Sequence, residues 1–202
     1  MDIKKTANLF INFTINKVAE IFGLIVFVAG IFLLISLITY SPEDPNFIFP
    51  DNTKIKNLLG FEGSFVSDLF FQSLGLISYL FSITLMITGI NIFISKEFFL
   101  IIENIFFAII YSIFGSFFLE YFYSNSFTLY INGNGGFIGY YLNQTFLNSI
   151  VQINQTVFYY LLIFLSICFF LVSINFHLVK FYRLIKKNIK NFYQKKWKKL
   201  YW

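Results

Sequence analysis

Charge is scarce in this chain: only 12% of its 202 residues are Asp, Glu, Lys or Arg, against about 25% in ordinary soluble domains. There is one cysteine, Cys168, and one histidine, His177. A lone cysteine excludes an intramolecular disulfide, and Cys168 sits in an apolar run where it reads as a small hydrophobe. A lone histidine without a ligand cluster around it gives no metal site. No GxxxxGK[ST] sequence occurs, so residues 1–202 hold no P-loop for nucleotide phosphates. No nucleophile and base stand at a spacing that argues for catalysis. Catalytic, cofactor-binding and metal residues are therefore expected to be absent, and the chain is not expected to be an enzyme.

Apolar side chains fill the space that charge leaves. Hydrophobic residues make up 57% of the chain, Phe occurs 31 times and the mean hydropathy is +0.71. A 202-residue core does not need that much apolar surface, and water would not tolerate the excess. The expected solvent is lipid. Residues 1–20 carry Asn and Thr at close intervals with no small-residue cleavage site after a short apolar core. They read as a cytoplasmic or interfacial segment, not a cleaved signal peptide.

Spanning a bilayer takes about 20 apolar residues. Four runs qualify, at about 21–39, 69–94, 98–122 and 157–179, within a four-helix domain covering 21–179. Orientation follows from the cations between them. The tail, residues 180–202, carries Lys180, Arg183, Lys186, Lys187 and Lys190 among others, and no acid. The N-terminal segment carries Lys4, Lys5 and Lys17. The loop from Tyr40 to Asp68 holds Lys54 and Lys56 against Glu43, Asp44, Asp51, Glu62 and Asp68, and the stretch from Tyr123 to Thr156 holds no charge. Both termini are thus expected in the cytoplasm, with a tight cytoplasmic turn at Ser95–Glu97. The fold class is an all-α membrane protein of two hairpins, ending in a basic amphipathic helix.

That tail places Phe181, Ile185, Ile189 and Phe192 at three- to four-residue steps among its cations. They share one face of a helix, which suits the inner leaflet, with the five named cations on anionic headgroups. Sequence-specific nucleic-acid contact is not expected of it.

The two outer loops parallel one another. Gly60-Phe61-Glu62-Gly63 precedes Leu69 as Gly133-Asn134-Gly135-Gly136 precedes Leu142, at the same distance. Each glycine turn should open a short helical stretch that returns the chain to the membrane. Small residues recur at helical spacing: Ala19, Gly23 and Gly30 in span one, Gly75, Ser78, Ser82 and Gly89 in span two, Ala108, Ser112, Gly115 and Ser116 in span three. They are expected to pack the spans closely. Glu103 and Glu120 lie about one turn from the ends of span three, where they should reach headgroups. No charge lies near a midplane and no polar cluster is apparent there, so a small transporter or channel subunit is the weaker alternative.

Several segments together resemble the N-terminal four-helix membrane domain of the FtsK/SpoIIIE DNA translocases. They are Ser41-Pro42-Glu43-Asp44-Pro45 directly after span one, Asn57-Leu58-Leu59-Gly60-Phe61-Glu62-Gly63, then Asp68, then Leu74-Gly75 and Tyr79. Gly135-Gly136-Phe137-Ile138-Gly139 before the last span is similar to the family's Gly-Gly-x-x-Gly segment. The physical reading of these residues stands beside the resemblance. Pro42 and Pro45 should stop span one at the interface, and Asp68 should cap span two at its N-terminus. The resemblance implies an anchor in the bacterial inner membrane at the division septum, meeting other division proteins and forming a homo-oligomer, a hexamer by family pattern. The family's cytoplasmic motor has no counterpart in residues 1–202, so the expected role is anchoring without ATPase activity.

Overall fold

In lipid every backbone N–H and C=O must be satisfied within the chain, so long apolar runs become helices. The computed structural model describes residues 3–45, 54–124 and 133–176, with side chains from residue 8 onward. Its helices are α1 (Ile3–Ile38), α2 (Gly60–Leu74), α3 (Ser78–Ser95), α4 (Leu100–Tyr123), α5 (Gly136–Asn143), α6 (Phe146–Ile153) and α7 (Gln155–Ser173). A 3-10 turn, Gly75–Ile77, joins α2 to α3, and no strand occurs among the described residues. Four stretches are long and apolar enough to cross a membrane: Asn8–Ile38, Gly60–Ser95, Leu100–Tyr123 and Gln155–Ser173.

The spans form two hairpins. In the first, α1 packs along α3; in the second, α4 packs along α7; α3 against α4 joins them. Each hairpin carries short helices at its return, α2 in one and α5 with α6 in the other. As the paired glycine turns suggest, α2 opens at Gly60 and α5 at Gly136.

Two apolar clusters, around Leu33, Leu37 and Phe71 and around Phe117, Val151 and Leu162, share the interior with many small and polar residues. Ala19, Ser78, Ser82, Thr84, Thr88, Asn104, Ala108, Ser112 and Ser116 are buried, while Leu24, Phe32, Phe106, Phe164 and Ile167 are exposed. Lipid solvates large apolar side chains as well as a core would. Close backbone approach and buried hydrogen bonds are what favour the interior for small and polar residues. The small-residue stripes serve packing inside this one unit. Cys168 is half-buried on α7.

At the end of the bundle where α3 turns into α4, Glu20 pairs with Lys17 at 2.8 Å and with Lys96 at 2.7 Å. Lys96 takes a left-handed φ of 65° and caps α3 by donating its N–H to Ile92 O at 2.9 Å. This is the expected tight turn. Helix α1 starts well before the expected span, because no Pro or Gly interrupts residues 3–22. Its first turns run past the level of Lys96, with Leu9, Phe10 and Phe13 exposed.

Helix α7 ends at Ser173, short of the expected Val179. Asn175 adopts a φ of 53°, its N–H bonds Val172 O, and the Phe176 N–H bonds Leu171 O, both at 2.9 Å. A left-handed residue that satisfies the last carbonyls is a helix stop. The 19 residues of α7 still rise about 28 Å, enough to span. His177 and the basic tail, with Lys180, Arg183, Lys186, Lys187 and Lys190, lie outside the described residues.

Thiol labelling checks this topology. In a Cys168→Ser background, Lys54→Cys and Phe137→Cys should react with an impermeant reagent in intact cells. Glu97→Cys should react only after permeabilisation. Outside labelling at position 97 would sink the four-span arrangement.

Candidate functional site

The residues singled out from the first outer loop converge into a cap over the end of α1. After Ile38 the chain turns through Ser41–Asp44, closed by the Asp44 N–H on Ser41 O at 3.2 Å. The Asp44 side chain is buried and accepts the backbone N–H groups of Lys56 and Asn57, both at 2.8 Å. Asn57 then reaches back, donating from Nδ2 to Ser36 O at 2.9 Å and accepting the Leu59 N–H on Oδ1 at 3.1 Å. Its carbonyl accepts the Gly60 N–H at 3.0 Å, which starts α2. Gly63 O accepts the hydroxyls of Ser36 and Ser67, and the Ser64 hydroxyl donates to Pro45 O at 3.2 Å. A Cβ on Gly63 would run into the Asn57 amide. Thus Asp44, Pro45, Asn57, Gly60 and Gly63 form one hydrogen-bonded assembly. Ser36 and Ser64, which the sequence reading missed, complete it.

Asp68 departs from expectation. It lies inside α2, which begins at Gly60, and cannot cap its N-terminus. The start of the helix is set earlier, by the Asn57 turn. Asp68 accepts the Tyr40 hydroxyl at 3.2 Å instead. Tyr79 donates its hydroxyl to Leu37 O at 3.3 Å, and the Tyr40, Phe71 and Tyr79 rings pack at 4.9 and 5.5 Å around it. Outside the cap, Lys56 pairs with Glu43 and holds its carboxyl below the ordinary carboxylate range. Whatever that exposed pair contributes is present above the ordinary range and lost as pH falls through the lowered value.

Asp44→Ala should destabilise the chain by about 1–3 kcal/mol, since it orphans two N–H groups at once. Asp44→Asn, which keeps one acceptor oxygen, should lose less. Thermal unfolding in detergent reads both, and an Asp44→Ala chain as stable as wild type would mean that the cap does not stabilise the first hairpin.

A second junction joins the two hairpins. The Leu76 N–H donates to Asn134 O at 3.0 Å, and the Ser116 hydroxyl donates to Leu74 O at 2.9 Å. Gly75 and Gly136 meet here, both at a φ of 63°. A Cβ on Gly136 would lie 2.5 Å from Gly75 N and 2.7 Å from Leu74 N. Only glycine fits both the conformation and the contact. Gly135 and Gly139 back onto Ser116 and Glu120 of α4, where added Cβ atoms would also collide. Asn134 is fully buried and its Nδ2 donates to Tyr123 O.

Glu120 was expected among headgroups and is instead buried at 8% exposure, packed beneath Gly133, Gly135 and Gly139. The glycine loop folds over the end of α4 and closes it off. Glu103, by contrast, is exposed in the first turn of α4.

Contrary to expectation, a buried polar cluster does occur inside the bundle. Thr84 Oγ1 lies 3.0 Å from Tyr111 Oη and 3.3 Å from Ser173 Oγ. Asn104 donates to Thr88 Oγ1 at 2.9 Å and accepts from Asn175 Nδ2 at 3.0 Å; Asn91 Nδ2 donates to Ile174 O at 3.3 Å. These groups tie α3, α4 and the end of α7 together. Among the described residues the cluster contains no carboxylate, ammonium or imidazole; its hydroxyls and amides bond to one another across helices and hold them together. The signal was present in sequence: Thr84 and Thr88 are four residues apart, and Asn104 and Tyr111 continue the Ala108 stripe. The partners across helices were not legible.

Among the described residues no group of three His, Cys, Asp or Glu side chains is placed to hold a metal ion. The two assemblies are a hydrogen-bonded cap on the first hairpin and a glycine junction that joins the second hairpin to it. A family model described as the 4TM region of DNA translocase FtsK/SpoIIIE matches residues 16–186. No curated protein and no solved structure matches the chain.

Proposed function

Because this chain belongs to the family of the FtsK/SpoIIIE 4TM region, we propose that it is the membrane anchor of a DNA-translocating division machine, held at the septum of a bacterial inner membrane. The observation that carries this is the family match over both hairpins, 16–186, taken with the cap and junction that family-like residues build. Two locked hairpins make a stiff unit. Force transmitted to the spans would then meet the whole bundle, not one helix sliding in lipid. In this reading the anchor contributes no ATPase activity of its own and assembles with copies of itself, six by the family's pattern. Its outer cap meets other division proteins.

A fluorescent fusion of residues 1–202 tests the localisation. The signal should gather at mid-cell in dividing bacteria. A uniform membrane signal throughout division would overturn the septal assignment.

A further inference from the structure

On the lipid-facing side of the first hairpin, an apolar groove of about 520 Å³ runs between α1, α2 and α3. Ala29, Phe32, Val66 and Leu85 line its length, and Ser36 and Glu62 stand at its outer end. From Ser36 to Ala29 the groove descends about 10 Å along α1. Phe32 is more than half exposed, so the groove opens sideways to the bilayer. The volume falls within the range of pockets that hold small molecules, about 300–1,000 Å³.

The polar groups at the mouth decide what fits. The Ser36 hydroxyl is already committed to Gly63 O. Glu62 is exposed and forms no ion pair among the described residues, whose ion pairs are Lys17–Glu20, Lys56–Glu43 and Lys96–Glu20. No Lys or Arg lines the groove. A carboxylate above an apolar slot, with no cation beside it, complements an ammonium carried on an acyl chain and repels an anionic headgroup. We infer that this groove is an outer-leaflet binding site for an amine-headed zwitterionic phospholipid, one acyl chain lying against Phe32 and Leu85 and the headgroup ammonium on Glu62. The site is independent of septal localisation.

Native mass spectrometry of the full chain with equimolar phosphatidylethanolamine and phosphatidylglycerol tests it. Wild type should retain the ethanolamine lipid over the glycerol lipid by about fivefold, the scale of one exposed charge contact. Glu62→Gln, an exposed change that leaves the fold in place, should bring that ratio to about one while acyl binding persists. Ala29→Trp should lower retention of both lipids. Equal retention of the two lipids by wild type, a preference that survives Glu62→Gln, or retention unaffected by Ala29→Trp would each overturn the assignment. A photo-crosslinking residue at position 32 should give lipid adducts in membranes. Adducts with a second copy or another protein in their place would mean the groove is a helix-docking surface instead.

Discussion

Gly75→Ala should cost this protein at least about 4 kcal/mol, a loss reserved for named structural lesions. Two penalties combine. Gly75 holds a φ of 63° and a ψ of −142°, a region closed to side-chain-bearing residues. A Cβ there would also fall inside the Asn134 carbonyl and 2.8 Å from Gly136 N, both backbone groups with no rotamer to yield. The chain would have to separate α2 from the glycine loop, breaking the bond between Leu76 N–H and Asn134 O. Gly60→Ala is the matched control. Gly60 has a similar φ of 71°, but its nearest neighbour is Glu62 Oε2 at 3.9 Å. It should lose only the conformational part, about 1–2 kcal/mol. Thermal unfolding and limited proteolysis in detergent compare the two. Equal losses would mean that the junction does not hold the hairpins together.

Gly89→Val should disrupt the first hairpin nearly as severely. At the crossing of α1 and α3, a Cβ on Gly89 would sit 2.6 Å from Gly23 O and 2.7 Å from Phe27 Cα. A Cβ on Gly23 would in turn sit 2.6 Å from Phe93 N and 2.8 Å from Gly89 O. Each glycine faces the other helix's backbone, so the helices must move apart. In lipid no hydrophobic force drives them back, and the packing energy is lost. The expected cost is about 3 kcal/mol or more, at the upper end of overpacking effects. Gly115→Ala should be far milder, because its nearest neighbour is Ile77 Cδ1, the tip of a flexible side chain. If Gly89→Val unfolds at the same temperature as Gly115→Ala, the backbone crossing is not what pairs α1 with α3.

The same logic explains why some site residues were legible and others were not. The Ser41–Pro45 turn and the Asn57–Gly63 segment stood out because turn formers and glycines leave a local mark. Their partners did not: Ser36 and Tyr40 look like ordinary span-end residues until Asn57 and Asp68 fold onto them. Glu120 was misplaced for a related reason. Its position one turn from the end of α4 suggested headgroups, but the loop that buries it comes 13 to 19 residues later in the chain, at Gly133–Gly139.

Sequence alone determined the solvent, the four spans, the two hairpins and the tight turn at Lys96, because hydropathy, charge and helix-breaking are properties of short stretches and need no partner. Tertiary structure decided what those stretches touch. It buried Asp44 against two N–H groups, set Gly75 against Gly136, closed Glu120 under the glycine loop and assembled Thr84, Tyr111 and Ser173 from three helices. In lipid these contacts rest on backbone approach and on hydrogen bonds between residues as much as 89 positions apart. Such contacts leave no periodicity for a local reading to find.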